Sequence, residues 1–276
     1  MPELPEVQTI INLLNESKAI NQTITSIDVF CPKLLKNCSV KTFQKQLVNE
    51  KITTISRIGK YLIFHLTNKK VLVIHLRMEG KLFYQVNACQ TKSPHLHIQI
   101  NFANHAALQY FDSRKFGTFH LFNESNYLKS PELSKIAYDP LNPECNAAYW
   151  TQQMQHCKLP IKSFLMDQTK IAGIGNIYAN EILFATKIHP TTPVDKINLQ
   201  QIAALVKSSK AILTEAIKYK GTTVFSYQFS KDHSGNYQHY LKVHGKNNQP
   251  CPICQTKIIK VKISGRGTYY CPHCQK

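Results

Sequence analysis

No stretch of about 18 consecutive apolar residues occurs in the chain, so nothing in it reads as a membrane span. A secretory leader would begin basic and then turn apolar, whereas the opening here, MPELPEVQT, is acidic and marked by prolines. The expectation is a cytoplasmic protein with no membrane partner. Internal repeats and low-complexity segments are also missing, which excludes a repeat array. Acidic residues are scarce, with 16 Asp and Glu against 34 Lys and Arg and a formal net charge of +18. Such a field opposes compaction unless a polyanion or solvent takes it up. Nucleic acid is therefore the leading partner, and a plainly solvated basic surface is the alternative. Nor do the cysteines form an even set for a secreted disulfide framework. Four of the nine sit at the C-terminus in paired CxxC spacing, and five are scattered as Cys31, Cys38, Cys89, Cys145 and Cys157. The odd remainder argues for reduced, mostly buried thiols.

What the chain does have is apolar material, 43% of 276 residues, enough for one large or two modest cores without disulfides. After Pro2 and Glu3, a proline-started segment places Val7, Ile10, Ile11 and Leu14 at the spacing of an amphipathic helix. From about residue 24 to 122 the pattern changes to short β-rich runs: ITSIDVF, KITTISRI, YLIFHL, VLVIHL, LHIQINF, ALQYF and TFHLF. These predict a β-sandwich, interrupted by a second helix at Lys41–Val48. Prolines and asparagine around Tyr138–Pro143 mark a linker. Helical spacing follows over Ala147–His156, Ile161–Asp167, Asn176–Thr186 and Leu199–Lys220, the last stopped by Gly221. The expected class is α+β, divided into an N-terminal sandwich domain (2–135), a linker (136–146), a helical domain (147–245) and a small cysteine-bounded unit (246–276).

That last unit carries the strongest motif. Cys251-Pro-Ile-Cys254 and Cys271-Pro-His-Cys274 are separated by 16 residues that suit two short strands, Lys257–Ile263 and Thr268–Tyr270. Four thiolates so spaced close a tetrahedral site for one structural Zn2+, with no position left for a reactive water. Four buried thiols without metal are the alternative, but a unit of about 30 residues has too little core to hold itself together. Between the strands, Ser264-Gly265-Arg266-Gly267 reads as a turn with Arg266 at its tip, either a phosphate clamp or an ordinary surface arginine.

PELPEV at Pro2–Val7, GKYLIFHL at Gly59–Leu66, HLRMEGKL at His75–Leu82 and DSRKFGT at Asp112–Thr118 together resemble the formamidopyrimidine-DNA glycosylase family. IKSFLMDQTKIAGIGNIYANEILF at Ile161–Phe184 resembles that family's helix-two-turn-helix, and VHGKNNQPCPIC through GRGTYYCPHCQ its zinc finger. The order is kept over nearly the full length. PELPE also favours the purine branch over the sister branch that removes oxidised pyrimidines, whose opening is PEGPE.

The resemblance implies a monomeric bifunctional repair enzyme acting on double-stranded DNA that contains oxidised bases, chiefly 8-oxoguanine, or abasic sites. Proline has a small side chain, so loss of Met1 is expected and exposes a secondary amine. With a reference pKa near ~7.7–8, lowered further by a helix N-terminus, that amine is substantially neutral and nucleophilic at physiological pH. By the resemblance, Pro2 attacks C1′ of the damaged nucleotide and passes to an iminium ion, after which the strand is cut by successive β- and δ-elimination. Glu3 then exchanges protons with the ribose and the departing base, Glu6 supports it, and Lys60 contacts the nucleotide and its phosphate. Without the family, both glutamates read as charges complementing the helix dipole, and Lys60 as a solvated strand end.

A base inside a duplex must be rotated out before an amine can reach it. The resemblance makes Met78 and Phe116 the wedges that fill the hole and Arg114 the partner of the orphaned base, with His95, Asn176 and Arg266 as further DNA contacts. Gly173-Ile174-Gly175-Asn176 opens a helix and offers its N–H groups to a phosphate, or else is a tight turn capped by asparagine. Arg57 and Lys162 are further basic groups whose roles the sequence leaves open. Ser226–Asn236, SYQFSKDHSGN, occupies the place of the family's loop over the extruded base and departs from its usual residues. Two other readings stand beside this one: the sister pyrimidine glycosylase, and a zinc protein that binds distorted DNA without cutting it.

Overall fold

The computed structural model describes residues 1–87, 93–222, 228–230 and 233–276. Cys89 lies outside the described residues, as do Ser226, Tyr227, Lys231 and Asp232 of the segment expected to cover the base. The chain divides into two compact units, Met1–Ser134 with Lys220–Gly235, and Lys135–Tyr219 with Asn236–Lys276.

In the first unit the elements run α1 (Leu4–Glu16), β1 (Ile24–Val29), α2 (Val40–Leu47), β2 (Ile52–Ile58), β3 (Tyr61–Leu66), β4 (Lys70–His75), β5 (Lys81–Gln85), β6 (Leu96–Phe102), β7 (Ala107–Phe111) and β8 (Thr118–Asn123). The strands form two antiparallel four-stranded sheets, ordered β2-β3-β4-β8 and β1-β6-β7-β5. Leu62, Phe64, Leu72, Ile74 and Phe119 of the first sheet share one core with Ile98, Ile100, Leu108 and Tyr110 of the second. Strands β3 and β4 are apolar on both faces because Ile63, Val71 and Val73 are covered in turn by Leu133. The uninterrupted runs YLIFHL and VLVIHL follow from that double burial.

All seven β-rich runs form strands, and an eighth, Lys81–Gln85, escapes sequence reading. It is an edge strand in which only Leu82 is buried, so its alternation is too weak to show. The first helix behaves as expected: Val7, Ile10, Ile11 and Leu14 are all buried. It lies along β2 and β3, where Asn15 occupies the open edge of β2. The Asn15 Nδ2 donates to the Ile55 carbonyl (3.1 Å), and Oδ1 accepts from the Ile55 N–H (3.3 Å). An edge strand's spare backbone groups are thereby used to fix a helix.

The second unit holds α3 (Ala147–Met154), α4 (Ile161–Met166), α5 (Asn176–Ala185) and α6 (Leu199–Lys218). Asn146 and Asn198 cap α3 and α6. The last helix ends two residues before the expected Lys220, and Lys220 (φ 61°) and Gly221 (φ 72°) both follow in the left-handed region. Two short strands, β9 (Gln228–Ser230) and β10 (His233–Ser234), pair within the first unit, and β11 (Ile259–Ile263) pairs with β12 (Arg266–Tyr270) in the second. The sequence therefore places the class correctly as α+β with a terminal two-stranded ribbon. Of the scattered thiols among the described residues, Cys31 and Cys145 are buried but Cys38 and Cys157 are half-buried, so burial is less general than expected; all four are free. Among the described residues no helix is long and apolar enough to cross a membrane.

One buried carboxylate locks the second helix to the sandwich. Glu50, 4% exposed, accepts from Lys70 Nζ (2.8 Å), Asn68 Nδ2 (3.0 Å) and the Thr67 hydroxyl, while Lys70 also donates to the Gln46 carbonyl at the end of α2. Burial alone raises its pKa, but the donors from Lys70, Thr67 and Asn68 outweigh that and hold it below the ordinary carboxylate value. A depressed folded-state pKa contributes stability above the unfolded value near ~4.3 and loses it as pH falls through the folded one. Glu50→Gln is expected to lower unfolding free energy by about 1–3 kcal/mol at pH 7. In urea titrations the gap from wild type should shrink as pH drops below about 4; a gap constant with pH refutes this account.

Candidate functional site

The N-terminal residues are held unusually firmly for a chain end. Met1 is 46% exposed, but Pro2 behind it is buried, and Glu3 and Glu6 are 3% and 2% exposed. Glu3 is the N-cap of α1, with extended backbone, and Pro5 enters the first turn where a missing N–H costs nothing. The Glu6 Oε2 accepts from the Glu3 N–H at 2.8 Å. Its other oxygen accepts from the Thr222 N–H (2.8 Å) and hydroxyl (3.1 Å). A Cβ on Gly221 would come within 2.7 Å of that same oxygen, so glycine there admits the carboxylate. Glu6 thus joins the start of α1 to the backbone that leads into residue 223. While Met1 is attached the Pro2 nitrogen is an amide; its loss leaves a secondary amine on the positive end of α1.

Lys60 is not the exposed strand end that its lone position suggests. It is 5% exposed and lies in the two-residue turn between β2 and β3, where Gly59 has φ 56°. Arg57 supports this hairpin, donating from Nε to Gln8 on α1 (2.9 Å) and from Nη1 to the Gly59 carbonyl (3.4 Å). Its role is to brace the hairpin against the helix. His75, at the end of β4, was not singled out from sequence. Burial, then the charges of Arg77, Lys60 and His120, push its pKa down to about 3. It is therefore neutral, and its Nδ1 accepts from the Arg77 N–H (3.0 Å).

That bond begins the turn Leu76–Gly80, in which Arg77 has φ 56° and the Gly80 N–H returns to the Leu76 carbonyl (3.0 Å). Met78 stands out of it, 39% exposed. A second turn, Asp112–Gly117, carries Arg114 and Phe116. Phe116 is 51% exposed, and the Arg114 guanidinium lies 4.7 Å from its ring centre. Both turns present large side chains to solvent. His95 is exposed too, with its carbonyl accepting from the Asp112 N–H (3.0 Å).

In the second unit, the bend between α4 and α5 is stapled by Gln168, which accepts from the Gly173 N–H and donates to the carbonyls of Met166 and Ile174, each at 2.9 Å. Gly175, rather than Asn176, is the N-cap of α5. Asn176 is half-buried, donates from Nδ2 to the Gly267 carbonyl (3.0 Å), and has a buried Oδ1 that accepts from none of the described residues. Lys162, 1% exposed, donates to the same carbonyl (3.1 Å) and to Thr268 Oγ1 (2.7 Å). It is a latch on the ribbon. Arg266 is corrected as well: the two-residue turn is Ser264–Gly265, with φ 46° and 78°, and Arg266 is the first residue of β12, paired with Ile263. The side chain is still exposed, on the rim of a cleft of about 240 Å³ lined by Lys162, Ser163, Asp167 and Ser264. Two successive residues with positive φ complete a turn whose twist matches the flanking strands, which leaves Arg266 and Gly267 to the ladder.

The four cysteine sulfurs, those of Cys251, Cys254, Cys271 and Cys274, all lie within 4.8 Å of one another. Cys251 and Cys274 are 3.9 Å apart and Cys254 and Cys271 3.4 Å, either side of the ~3.8 Å edge expected for a tetrahedron with zinc–sulfur bonds near 2.3 Å. N–H groups of Ile253 and Cys274 point at the sulfurs of Cys251 and Cys271, as thiolates require. These residues fit a structural zinc ion. Among the described residues the apolar core around them is small: Phe184, Val243, Ile258 and the buried cysteines, with Tyr269 packed against it. Its root is fixed to α5 by Glu181, whose carboxylate accepts from the N–H groups of Lys242, Val243 and His244.

Three family models match in chain order. They are described as the formamidopyrimidine-DNA glycosylase N-terminal domain over residues 1–119, the formamidopyrimidine-DNA glycosylase H2TH domain over 136–228, and a zinc finger found in FPG and IleRS over 248–276. The chain is 46% identical over 276 residues to the formamidopyrimidine-DNA glycosylase of Mycoplasma genitalium, covering 100% of itself and 96% of that protein. It is also similar to a Lactococcus lactis FPG mutant solved with Fapy-dG containing DNA, with a TM-score of 0.93, 35% identity and full coverage of both chains. The Lactococcus lactis protein solved with abasic-site DNA matches at a TM-score of 0.92 and 35% identity over 99% of each chain.

Removing the metal tests the ribbon directly. Metal analysis is expected to return one zinc per chain, and Cys271→Ser to lose it. Because the local core is small, amide protection of β11 and β12 should then collapse in hydrogen exchange while that of β3 and β4 persists. Retained protection in the zinc-free protein refutes a metal-dependent ribbon.

Proposed function

Because this chain belongs to the formamidopyrimidine-DNA glycosylase family, we propose that it removes oxidised purines, 8-oxoguanine and formamidopyrimidines, from duplex DNA and then cuts the strand at the abasic site. The observation that carries this reading is the clamped N-terminus, with two buried glutamates beside the residue whose nitrogen becomes an amine once Met1 is removed.

The free Pro2 nitrogen adds to C1′ as the bond from C1′ to the base breaks, and the proton the nitrogen sheds passes to the departing base. Glu3 delivers a proton to the ribose ring oxygen, the ring opens, and the nitrogen lone pair closes an iminium at C1′. The iminium acidifies C2′, so loss of a proton there expels the 3′ phosphate, and a second elimination expels the 5′ phosphate. Water then hydrolyses the remaining iminium and restores the amine. Glu6 keeps Glu3 oriented through its backbone N–H, and Lys60 offers a cation to the phosphate of the damaged nucleotide. Met78 and Phe116 fill the vacated stack and Arg114 meets the orphaned cytosine. His95, Asn176 and Arg266 bind phosphates, the excess positive charge supplying a salt-sensitive share of affinity. Cys251, Cys254, Cys271 and Cys274 would hold one zinc ion, which would supply structure to the ribbon bearing Arg266 and take no part in the reaction. The same reading has the protein working as a monomer in the cytoplasm, at the nucleoid.

Intact-mass measurement should find Met1 absent, and borohydride should trap a covalent adduct on an 8-oxoguanine:cytosine duplex. Pro2→Gly is expected to lose the adduct with base release much reduced. Glu3→Gln should slow base release by at least about a hundredfold. Full trapping by protein that keeps Met1 overturns the assignment of the amine, and faster excision of thymine glycol opposite adenine moves the chain to the pyrimidine branch.

A further inference from the structure

The two turns that face the DNA in this reading are separated by more than thirty residues of sequence, yet one buried side chain sets both. Tyr110 on β7 is 0% exposed and packs edge-on against Phe119, ring centres 4.9 Å apart. Its hydroxyl projects between Gly80, which closes the Met78 turn, and Gly117, which closes the Arg114–Phe116 turn. A Cβ on either glycine would overlap that hydroxyl. The hydroxyl donates to Asp112 Oδ2 (3.0 Å), which also accepts from the N–H groups of Phe116 (2.8 Å) and Gly117 (2.9 Å), while Oδ1 accepts from the Arg114 N–H (3.0 Å). Asp112 itself is 1% exposed, and its carbonyl accepts from His97 Nε2 (2.8 Å).

We propose that Tyr110, acting through Asp112, is a positioning residue that holds the Met78 turn and the Arg114–Phe116 turn in one fixed relation, so that both wedges and the orphan-base contact enter the duplex together. This rests on the function proposed above. A buried carboxylate with four donors admits one arrangement of its loop, because any other leaves a charge unsatisfied. The two glycines then bring the first turn against the same hydroxyl. The consequence is specific to duplex substrates. Tyr110 touches neither DNA nor the amine, and a single strand presents no stack to fill and no orphaned base.

Tyr110→Phe keeps the ring and removes the hydroxyl. Single-turnover release of 8-oxoguanine from a duplex opposite cytosine is expected to fall roughly ten- to a hundredfold, the size of a small misplacement of contact groups. Borohydride trapping on a single-stranded abasic oligonucleotide should stay within about twofold of wild type, since transition-state contacts at the amine are untouched. In a Phe116→Ala background the further effect of Tyr110→Phe should shrink to less than about threefold, because the two act through one element. Asp112→Asn, assayed well below its melting temperature, should reproduce the same split between substrates. Equal losses on both substrates, full additivity with Phe116→Ala, or no loss on the duplex each overturn the proposal. Wild-type protein that neither excises nor traps overturns instead the function on which it rests.

Discussion

A reagent carried on a chain terminus has to be held still, and termini are the part of a protein most given to fraying. Everything at the N-terminal site depends on how this chain meets that constraint. Leu4, Val7, Ile10, Ile11 and Leu14 bury one face of α1 in the sandwich. Asn15 binds the free edge of β2, and Gln8 accepts from Arg57 beside the hairpin that carries Lys60. Glu6 then locks the first turn from inside by accepting from Glu3 and Thr222 together. A carboxylate with its lone pairs so used is not free to swing, and the residues before it inherit that order. The helix is thus a rigid arm with Pro2 and Glu3 at its tip.

The few acids of the chain are disposed in a way that supports a polyanionic partner. Glu3, Glu6, Glu50, Asp112 and Glu181 are all buried, each spent on backbone or side-chain donors in the interior. Withdrawing them leaves the surface more positive than the net charge of +18 already implies. The residues assigned to DNA are arranged oppositely. Met78, His95, Arg114, Phe116 and Arg266 are exposed and stand on turns or a strand end, while the groups that shape those turns, His75, Asp112 and Lys162, are buried. Rigid interior anchors with exposed tips allow contact side chains to meet a duplex without the scaffold yielding.

Much of this was legible in the residues. The short β-rich runs gave seven strands, the i, i+3, i+4 spacing gave α1 and the four helices of the second unit, and the paired CxxC spacing gave the metal cluster. Lys81–Gln85 was missed because an edge strand with one buried residue has almost no period to detect. Arg266 was moved from the tip to the first residue of β12 because the left-handed residues Ser264 and Gly265 complete the turn alone. Lys60 by itself reads as a solvated strand end and Lys162 as a basic group of open role, since nothing in a linear string records that a lysine's neighbours will cover it. Asp112 was visible as a motif letter without its work, which needs Tyr110, Phe116 and Gly117 at once.

By itself the sequence determined the helices and seven strands of the sandwich, that a zinc ion belongs at the C-terminus, and that the likeness to a DNA-repair family runs the length of the chain. These are properties of short-range spacing, and short-range spacing is what a string of residues contains. Only the tertiary structure decided how the terminus is clamped and how the Met78 turn and the Arg114–Phe116 turn are tied together. Glu6 finds its partner 216 residues away, and one tyrosine hydroxyl sits against glycines from two different turns. Such contacts come from the closure of a core, which brings together groups that no local pattern relates.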